Sequence, residues 1–330
     1  MTSTLHEVFQ AFNNLRVLIV GDVMLDSYIW GAVERISPEA PVPVVNVKKK
    51  DFRLGGAANV ALNVHELGAT PILCAVIGND DDGKKLLQRL DDKRLSKEGI
   101  VISNHRPTTV KTRIIASDQH VVRVDEENDS VVNESEEKAL FDRIQKLLPS
   151  CQVVIFEDYD KGVLNQSIIE KTVELANGLQ IPTVVDPKKR NFLHYKNVTL
   201  FKPNLKELRE GLKMEVESGN QKQVILAVAV LKQKLSAKGV MVTLSERGVY
   251  IDLNDSKIKL PAHIRKIADV SGAGDTVVSI AALCTALNLS AQQIAALANL
   301  GGGLVCEHVG VVSINKDELL REAINENIFS

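Results

Sequence analysis

Two carboxylates bracket a run of small residues, Asp269-Val270-Ser271-Gly272-Ala273-Gly274-Asp275-Thr276, and an apolar run from Val277 to Leu287 follows at once. Glycines let backbone N–H groups come close to a ligand, since no Cβ stands in the way. The first N–H groups of a helix lack intrahelical acceptors, and together with the helix dipole they attract anions, phosphate above all. An aspartate at such a place has two readings. Asp275 caps the helix, or it is a general base that takes a proton from an attacking hydroxyl while the amides of Gly272 to Asp275 face a phosphoryl group.

Other residues able to do chemistry stand at the ends of apolar runs. Arg16 to Val20 reads as a buried strand ending at Gly21, with Asp22 and Asp26 just past its carboxyl end, where open α/β sheets bind ligands. Carboxylates there accept hydrogen bonds from neighbouring hydroxyls. The continuation is GDVMLD and not G-x-G-x-x-G, which counts against a dehydrogenase. Gly55-Gly56-Ala57-Ala58-Asn59 opens a helix through Leu67. Its small residues serve tight packing or a close polar ligand, and the Asn59 amide both donates and accepts. Glu157-Asp158-Tyr159-Asp160-Lys161-Gly162 follows a buried strand at Cys151 to Phe156, and is either a site or a solvated turn. Asp186-Pro187-Lys188 follows another strand at Ile181 to Val185. Asn204 and Glu207 share a helix face, which also describes an N-cap with its capping-box partner. Gly78-Asn79-Asp80-Asp81-Asp82-Gly83-Lys84-Lys85 nearly spells a P-loop, but a lysine replaces the metal-binding hydroxyl and three aspartates would repel phosphates. It reads as a strand-to-helix turn with acidic capping of a Lys84–Leu90 helix.

The elements that must position these groups fit an ordinary globular protein: 330 residues, 45% hydrophobic, 25% charged. A formal net charge of −2 gives no reason to expect nucleic-acid binding, so any anion site is local. No apolar run reaches the ~18 residues of a membrane span. The first residues, MTSTLHEVFQAFNNLR, lack a signal peptide's apolar core and cleavage site. Cys74, Cys151, Cys284 and Cys306 have no C-x-x-C spacing and read as reduced core residues of a cytoplasmic protein. β-Rich patches at 27–50 and 108–125, the second with a hairpin-like Ser117-Asp118, interrupt an alternation of strands and helices. Glu134 to Leu148 reads as a charged surface helix, and Leu289 to Cys306 as a close-packed helix rich in small residues.

GAGD followed by an apolar helix resembles the C-terminal signature of the ribokinase-like carbohydrate kinases. The runs Gly21-Asp22-Val23-Met24-Leu25-Asp26, Arg35-Ile36-Ser37-Pro38-Glu39-Ala40-Pro41-Val42-Pro43-Val44 and Gly55-Gly56-Ala57-Ala58-Asn59 are similar to one bacterial branch. That branch phosphorylates the anomeric hydroxyl of D-glycero-D-manno-heptose 7-phosphate on the way to ADP-heptose and the lipopolysaccharide core. The resemblance runs from about Leu15 to about Ile314. It implies one α/β domain over 1–330, a mainly parallel helix-flanked sheet, with the two β-rich patches forming a lid that covers the sugar and pairs in a homodimer. It implies Asp275 as catalytic base, with Asp26, Gly55, Gly56 and Asn59 on the sugar, and Asp22 in a structural part. The cofactors it implies are ATP and Mg²⁺, the ion's waters organised by Asn204 and Glu207. The nucleotide falls to Thr243, Ser245, Gly248, Gly272, Ala273, Gly274 and Asn299, with Val305 and Gly310 near the adenine. Ser245 departs from the family's Thr-x-Gly-x-x-Gly, which weakens that element. The sugar's own phosphate needs cations, and Arg35, Lys111, Arg113, Arg123, Lys161 and Lys188 are the candidates. An ordinary aspartate pKa of about 3.9 would leave Asp275 ionised at neutral pH. Longer heptose enzymes add an adenylyltransferase domain, and here the expectation is that this step lies elsewhere. The rival expectations are a kinase for another sugar phosphate, such as fructose 6-phosphate, and a non-catalytic sensor with the same fold.

Overall fold

Short Val- and Ile-rich runs without polar alternation belong in strands covered on both faces. The computed structural model describes residues 4–116, 119–217, 219–263 and 265–329 and bears this out for one large sheet. Helix α1 (Leu5–Ala11) precedes β1 (Arg16–Gly21), and two long strands follow, β2 (Val23–Ile36) and β3 (Pro43–Gly56). Next come α2 (Ala57–Glu66), β4 (Thr70–Gly78), α3 (Asp81–Asp92), β5 (Ile100–Ser103), β6 (Val110–Ala116) and β7 (Gln119–Glu126). Then follow α4 (Glu134–Leu147), β8 (Val153–Glu157), α5 (Gln166–Gly178), β9 (Thr183–Asp186) and β10 (Leu200–Phe201). After α6 (Leu205–Leu212), α7 (Gln221–Leu235) and β11 (Gly239–Thr243) come β12 (Val249–Leu253) and β13 (Ser256–Leu260). The helices α8 (Ala273–Ala286), α9 (Ala291–Val305) and α10 (Lys316–Asn325) complete the order.

The main sheet runs β13-β12-β11-β10-β9-β8-β1-β4-β5, parallel from β5 to β11 with an antiparallel edge at β12 and β13. Alternate strand residues enter opposite faces. Val17 and Ile19 of β1 join the core made with α1, α2, α8, α9 and α10, while Leu18 and Val20 join the core under α4, α5, α6 and α7. Cys74, Cys151 and Cys284 are buried in these layers as free thiols, and Cys306 is partly covered.

The second sheet has the order β3-β2-β6-β7, with β2 and β6 parallel and the outer pairs antiparallel. It is built from the two β-rich patches, but β2 begins earlier and β3 ends later than the sequence pattern suggests. β2 starts at Val23, so Asp26 stands on this sheet and not in a loop past β1. β3 runs through Gly55 and Gly56 directly into α2. Gly56 has φ 58°, and a Cβ there would come within 2.4 Å of the Asp22 carbonyl oxygen, so only glycine fits the junction. The Ser117-Asp118 turn lies outside the described residues. Asp80 caps α3, its Oδ1 accepting from Gly83 N–H at 2.7 Å, so the GNDDDGKK stretch is the strand-to-helix turn its composition suggested.

Candidate active site

Strands β8, β9 and β10 end side by side, and α8 begins over their carboxyl ends. Gly272, at φ 83°, is the N-cap of α8, and no side chain caps the helix. Asp275 is therefore not its cap. Ala273 N–H reaches Val270 O and Thr276 N–H reaches Gly272 O, whereas the N–H groups of Gly274 and Asp275 have no acceptor among the described residues. A Cβ on Gly274 would lie 3.5 Å from Asp186 Oδ2 and 3.9 Å from Lys202 Nζ, so its bare side faces that ion pair.

The Asp275 side chain turns inward and is 5% exposed. Asn59 Nδ2 donates to its Oδ2 at 2.6 Å, and Tyr159 Oη–H donates to its Oδ1 at 2.7 Å. Burial pushes the Asp275 carboxyl up to about 6; the two donors oppose that, Asp186 adds to it, and Lys188 opposes it. The base candidate is thus less acidic than the ordinary value expected, though still largely ionised at neutral pH. Asn63 accepts from Thr276 Oγ1 and from Ile314 N–H, which locks α2 against α8 and so fixes Asn59 beside Asp275.

Around this pair lies a buried set of charges. Glu157 ends β8 in register with Asp186, which ends β9. Asp186 pairs with Lys202 at 2.8 Å, both nearly inaccessible. Lys188 Nζ reaches Glu207 Oε1 at 2.7 Å and lies over the Tyr159 ring, 5.2 Å from its centroid. Glu157 is fully buried, and among the described residues neither carboxyl oxygen has a hydrogen-bond partner. Burial, then the charges of Asp186 and Asp275, push its carboxyl well above the usual range. Asp22 accepts from the N–H groups of Tyr159, Lys161 and Val163 at 2.9, 3.1 and 3.0 Å, so it shapes the loop after β8 from within.

The second sheet turns a charged face to this site. Asp26 is paired with Arg113, and Arg113 and Arg53 both lie over the Tyr28 ring. Tyr28 Oη accepts from Val311 N–H, and Arg53 donates to Val311 O, which ties the sheet to the segment before α10. A Cβ on Gly55 would strike Asp26 Oδ2 at 2.3 Å, so that glycine makes room for the carboxylate. Lys111 bridges Asp125 and Glu127, and Lys161, from the loop after β8, pairs with the other oxygen of Glu127 at 2.8 Å. Arg123 is well exposed and pairs with Asp125. Arg35 is exposed near the far end of β2, nine positions beyond Asp26, or roughly 30 Å along a strand. Of the six cation candidates, the structure gathers Lys111, Arg113 and Lys161 near Asp26 and the β8 loop. Lys188 sits instead with Glu207, and Arg35 stands apart from the cluster.

The remaining nucleotide-side candidates form the other flank. Asn204 and Glu207 make a full capping box on α6: Asn204 Oδ1 accepts from Glu207 N–H, and Glu207 Oε2 accepts from Asn204 N–H, both at 2.8 Å. The capping reading of this pair is real, and Oε1 remains for Lys188. Thr243 ends β11 and bridges to Asn204. Ser245 takes φ 54° in the turn after it, and Gly248 takes φ 84° where a Cβ would meet Leu260 O at 2.0 Å. Asn299 donates to Pro261 O at 2.8 Å, joining α9 to the end of β13. Gly310 N–H donates to Asp269 Oδ2, so the first carboxylate of this segment organises the backbone, and of its two aspartates it is Asp275 that enters the site.

Glu157 and Tyr159 belong to the stretch read from sequence as either a site or a solvated turn, whereas Asp186 and Lys202 received no role there. Their signal was position: each stands at the carboxyl end of a parallel strand, where a polar residue has a functional reading that a mid-strand one lacks.

The family profile of pfkB family carbohydrate kinases matches residues 14–318. The bifunctional protein HldE of Syntrophotalea carbinolica is 39% identical over 311 residues, which is 93% of this chain and 62% of that protein. The HldE of Wolinella succinogenes is 38% identical over 303 residues, 92% of this chain and 63% of that protein. The chain thus spans under two thirds of the length of these relatives. Phosphofructokinase-2 from Escherichia coli shares the fold with a TM-score of 0.78 at 19% identity, covering 96% of this chain and all of that one. Arabidopsis thaliana ribokinase, complexed with ribose and ATP, does so with a TM-score of 0.72 at 18% identity, covering 93% and 99%. The profile match over nearly the whole chain and these relatives agree with the base candidate at the start of α8: the chain belongs to the pfkB family of carbohydrate kinases.

Proposed function

We propose that this chain transfers a phosphoryl group from ATP to the anomeric hydroxyl of D-glycero-D-manno-heptose 7-phosphate, giving the 1,7-bisphosphate. The observation that carries the reading is the buried Asp275 carboxylate, fixed by Asn59 and Tyr159, beside two N–H groups at the start of α8 that have no acceptor among the described residues. The likeness to HldE over the length of this chain supports the heptose branch.

The residues present fit a phosphoryl donor: free N–H groups, two glycines without Cβ, and the buried cation Lys202 behind Gly274. When bound, ATP with Mg²⁺ supplies the phosphoryl group and offsets its charge. Glu207 and Asn204 would hold the ion through its waters, since Mg²⁺ keeps most of its hydration shell. Asp26 orients the sugar hydroxyls, its charge steadied by Arg113 and its place kept open by Gly55, while Gly56 lets β3 turn directly into α2 and so sets Asn59 beside the sugar. Asp275 accepts the anomeric proton as the new bond forms. The second sheet acts as a lid that excludes water. Its outer face carries Val122 and Val124, 48% and 46% exposed, alternating with the inward Arg123 and Asp125. We assign that apolar face to a homodimer contact.

A panel of phosphorylated and free sugars tests the reading, with Asp275→Asn as reference. Heptose 7-phosphate should exceed free heptose in kcat/KM by at least about a hundredfold, or ~2.7 kcal/mol, because the phosphate accepts charge-assisted hydrogen bonds from Lys111, Arg113 or Lys161 that the free sugar cannot accept. Asp275→Asn should lower kcat by about 10²–10⁴-fold. Preference for fructose 6-phosphate would move the chain to another branch of the family. Absence of ATP turnover with every sugar would favour a sensor.

A further inference from the structure

We propose that Tyr159 is a positioning residue for Asp275, and that its ring links the base to Lys188 and Glu207 across the site. The inference rests on the reading of Asp275 as the base.

A carboxylate in the first turn of a helix turns about two single bonds, and a base must present one lone pair to the substrate. Asn59 holds Oδ2 and Tyr159 holds Oδ1, so the plane of the carboxylate is set by donors on both sides. Tyr159 is itself held, because its N–H donates to the buried Asp22. Its phenol stays a donor: burial, and then the charges of Asp275, Glu157 and Asp186, push its ionisation well up. The other side of the ring lies under Lys188, whose ammonium is bonded to Glu207 Oε1. A shift of Glu207 or Lys188 therefore reaches the Asp275 carboxylate through one aromatic ring. The groups facing Asp275 are Asn59 from α2, Glu157 and Tyr159 from the end of β8, and Asp186 and Lys188 from the end of β9. Of these, among the described residues, Asn59 and Tyr159 alone hydrogen-bond its side chain.

Tyr159→Phe keeps the ring and its contact with Lys188 but deletes the O–H. A hydrogen bond to the charged form favours that form, so its loss should move the Asp275 titration up by about one pH unit. The titration is read in the ligand-free protein by infrared difference against Asp275→Asn. The acid limb of kcat should move with it, while the sugar KM stays within about twofold. Substrate ionisation is common to both proteins and cancels in the comparison. Should Tyr159→Phe not fold, 3-fluorotyrosine at position 159, a stronger donor of nearly the same size, should move the titration down instead. Lys188→Met tests the link: it should shift the titration more in the wild type than in Tyr159→Phe.

An unmoved titration with inactive Asp275→Asn overturns the positioning role and leaves the base assignment standing. So does a uniform loss of rate at every pH with an unmoved titration, which is what a merely structural tyrosine would give. Equal Lys188→Met shifts in both backgrounds overturn the link. Near-normal turnover in Asp275→Asn removes the base assignment and this inference with it.

Discussion

Lowering the pH should switch off Asp275 near pH 6, about two units above where an ordinary aspartate titrates. Burial holds its carboxyl at about 6, against a model-compound value of 3.8. The ionised fraction is then about 0.9 at pH 7 and about 0.1 at pH 5. An unshifted aspartate would still be more than about 90% ionised at pH 5. Phosphate monoesters take up a proton near pH 6 as well, so a rate profile alone would mix enzyme and substrate. The decisive assay is the infrared titration of the ligand-free protein, wild type minus Asp275→Asn. A midpoint near pH 4 would refute the burial argument. The same shift governs stability. The native state binds this proton more tightly than the unfolded chain does, so the group's contribution falls as pH rises from about 4 to about 6, and the cost persists above that. A shift of about two units corresponds to ~3 kcal/mol. Asp275→Asn should therefore be more stable than wild type at pH 7.5, by up to that amount less the cost of re-pairing Asn59 and Tyr159. The gap should close near pH 4. A gap independent of pH would show that Asp275 pays no desolvation cost.

Glu207→Gln preserves the capping box but weakens the carboxylate's hold on Lys188 and on hydrated metal, so the Mg²⁺ concentration for half-maximal rate should rise at unchanged thermal stability. An unchanged Mg²⁺ dependence would leave capping as its whole role. Gly56→Ala should unfold or strongly destabilise the chain, measured by thermal melting, because it combines positive φ with a 2.4 Å approach to Asp22 O. Charged substitutions at Val122 and Val124 together should give a monomer by sedimentation without loss of melting temperature, and an unchanged mass would remove the outer face as the dimer contact.

The main sheet was legible because buried parallel strands are continuous apolar runs, and Arg16 to Val20 or Val240 to Thr243 look like nothing else. The helix α7 was not singled out: its apolar residues Val224, Ala227, Val228 and Leu231 sit among Gln and Lys in a stretch without a chemical motif. The edge pair β12 and β13 was missed because Asn254-Asp255 joins two short strands whose outer member alternates lysine with apolar residues. At the site, GAGD and Asn59 were readable from spacing and resemblance. The role of Tyr159 was not, because a tyrosine in a polar turn looks the same whether its phenol meets solvent or a buried carboxylate. Lys188 shows the converse limit. A cation at a strand end is visible in sequence, but whether it turns to Asp26 or to Glu207 depends on the packing of α6.

The charges around Asp275 bear on how a chain of net charge −2 would accept the phosphoryl donor of the reaction proposed above. Lys202 is neutralised by Asp186, and Lys188 by Glu207, so the buried cations bring no net positive charge. Glu157, whose carboxyl has no hydrogen-bond partner among the described residues, is driven toward its protonated form. Beside them stand Asp275 and the N–H groups of Gly274 and Asp275, which have no acceptor among the described residues. Those donors carry partial charges fixed by the helix, cost no side-chain ordering when a phosphoryl group arrives, and leave the one carboxylate beside them to take the proton. On the reading proposed above, attraction for the transferred phosphoryl group comes from oriented backbone, and the sugar's own phosphate falls to Lys111, Arg113 and Lys161. The proposed reaction therefore needs the two glycines as much as the aspartate they precede.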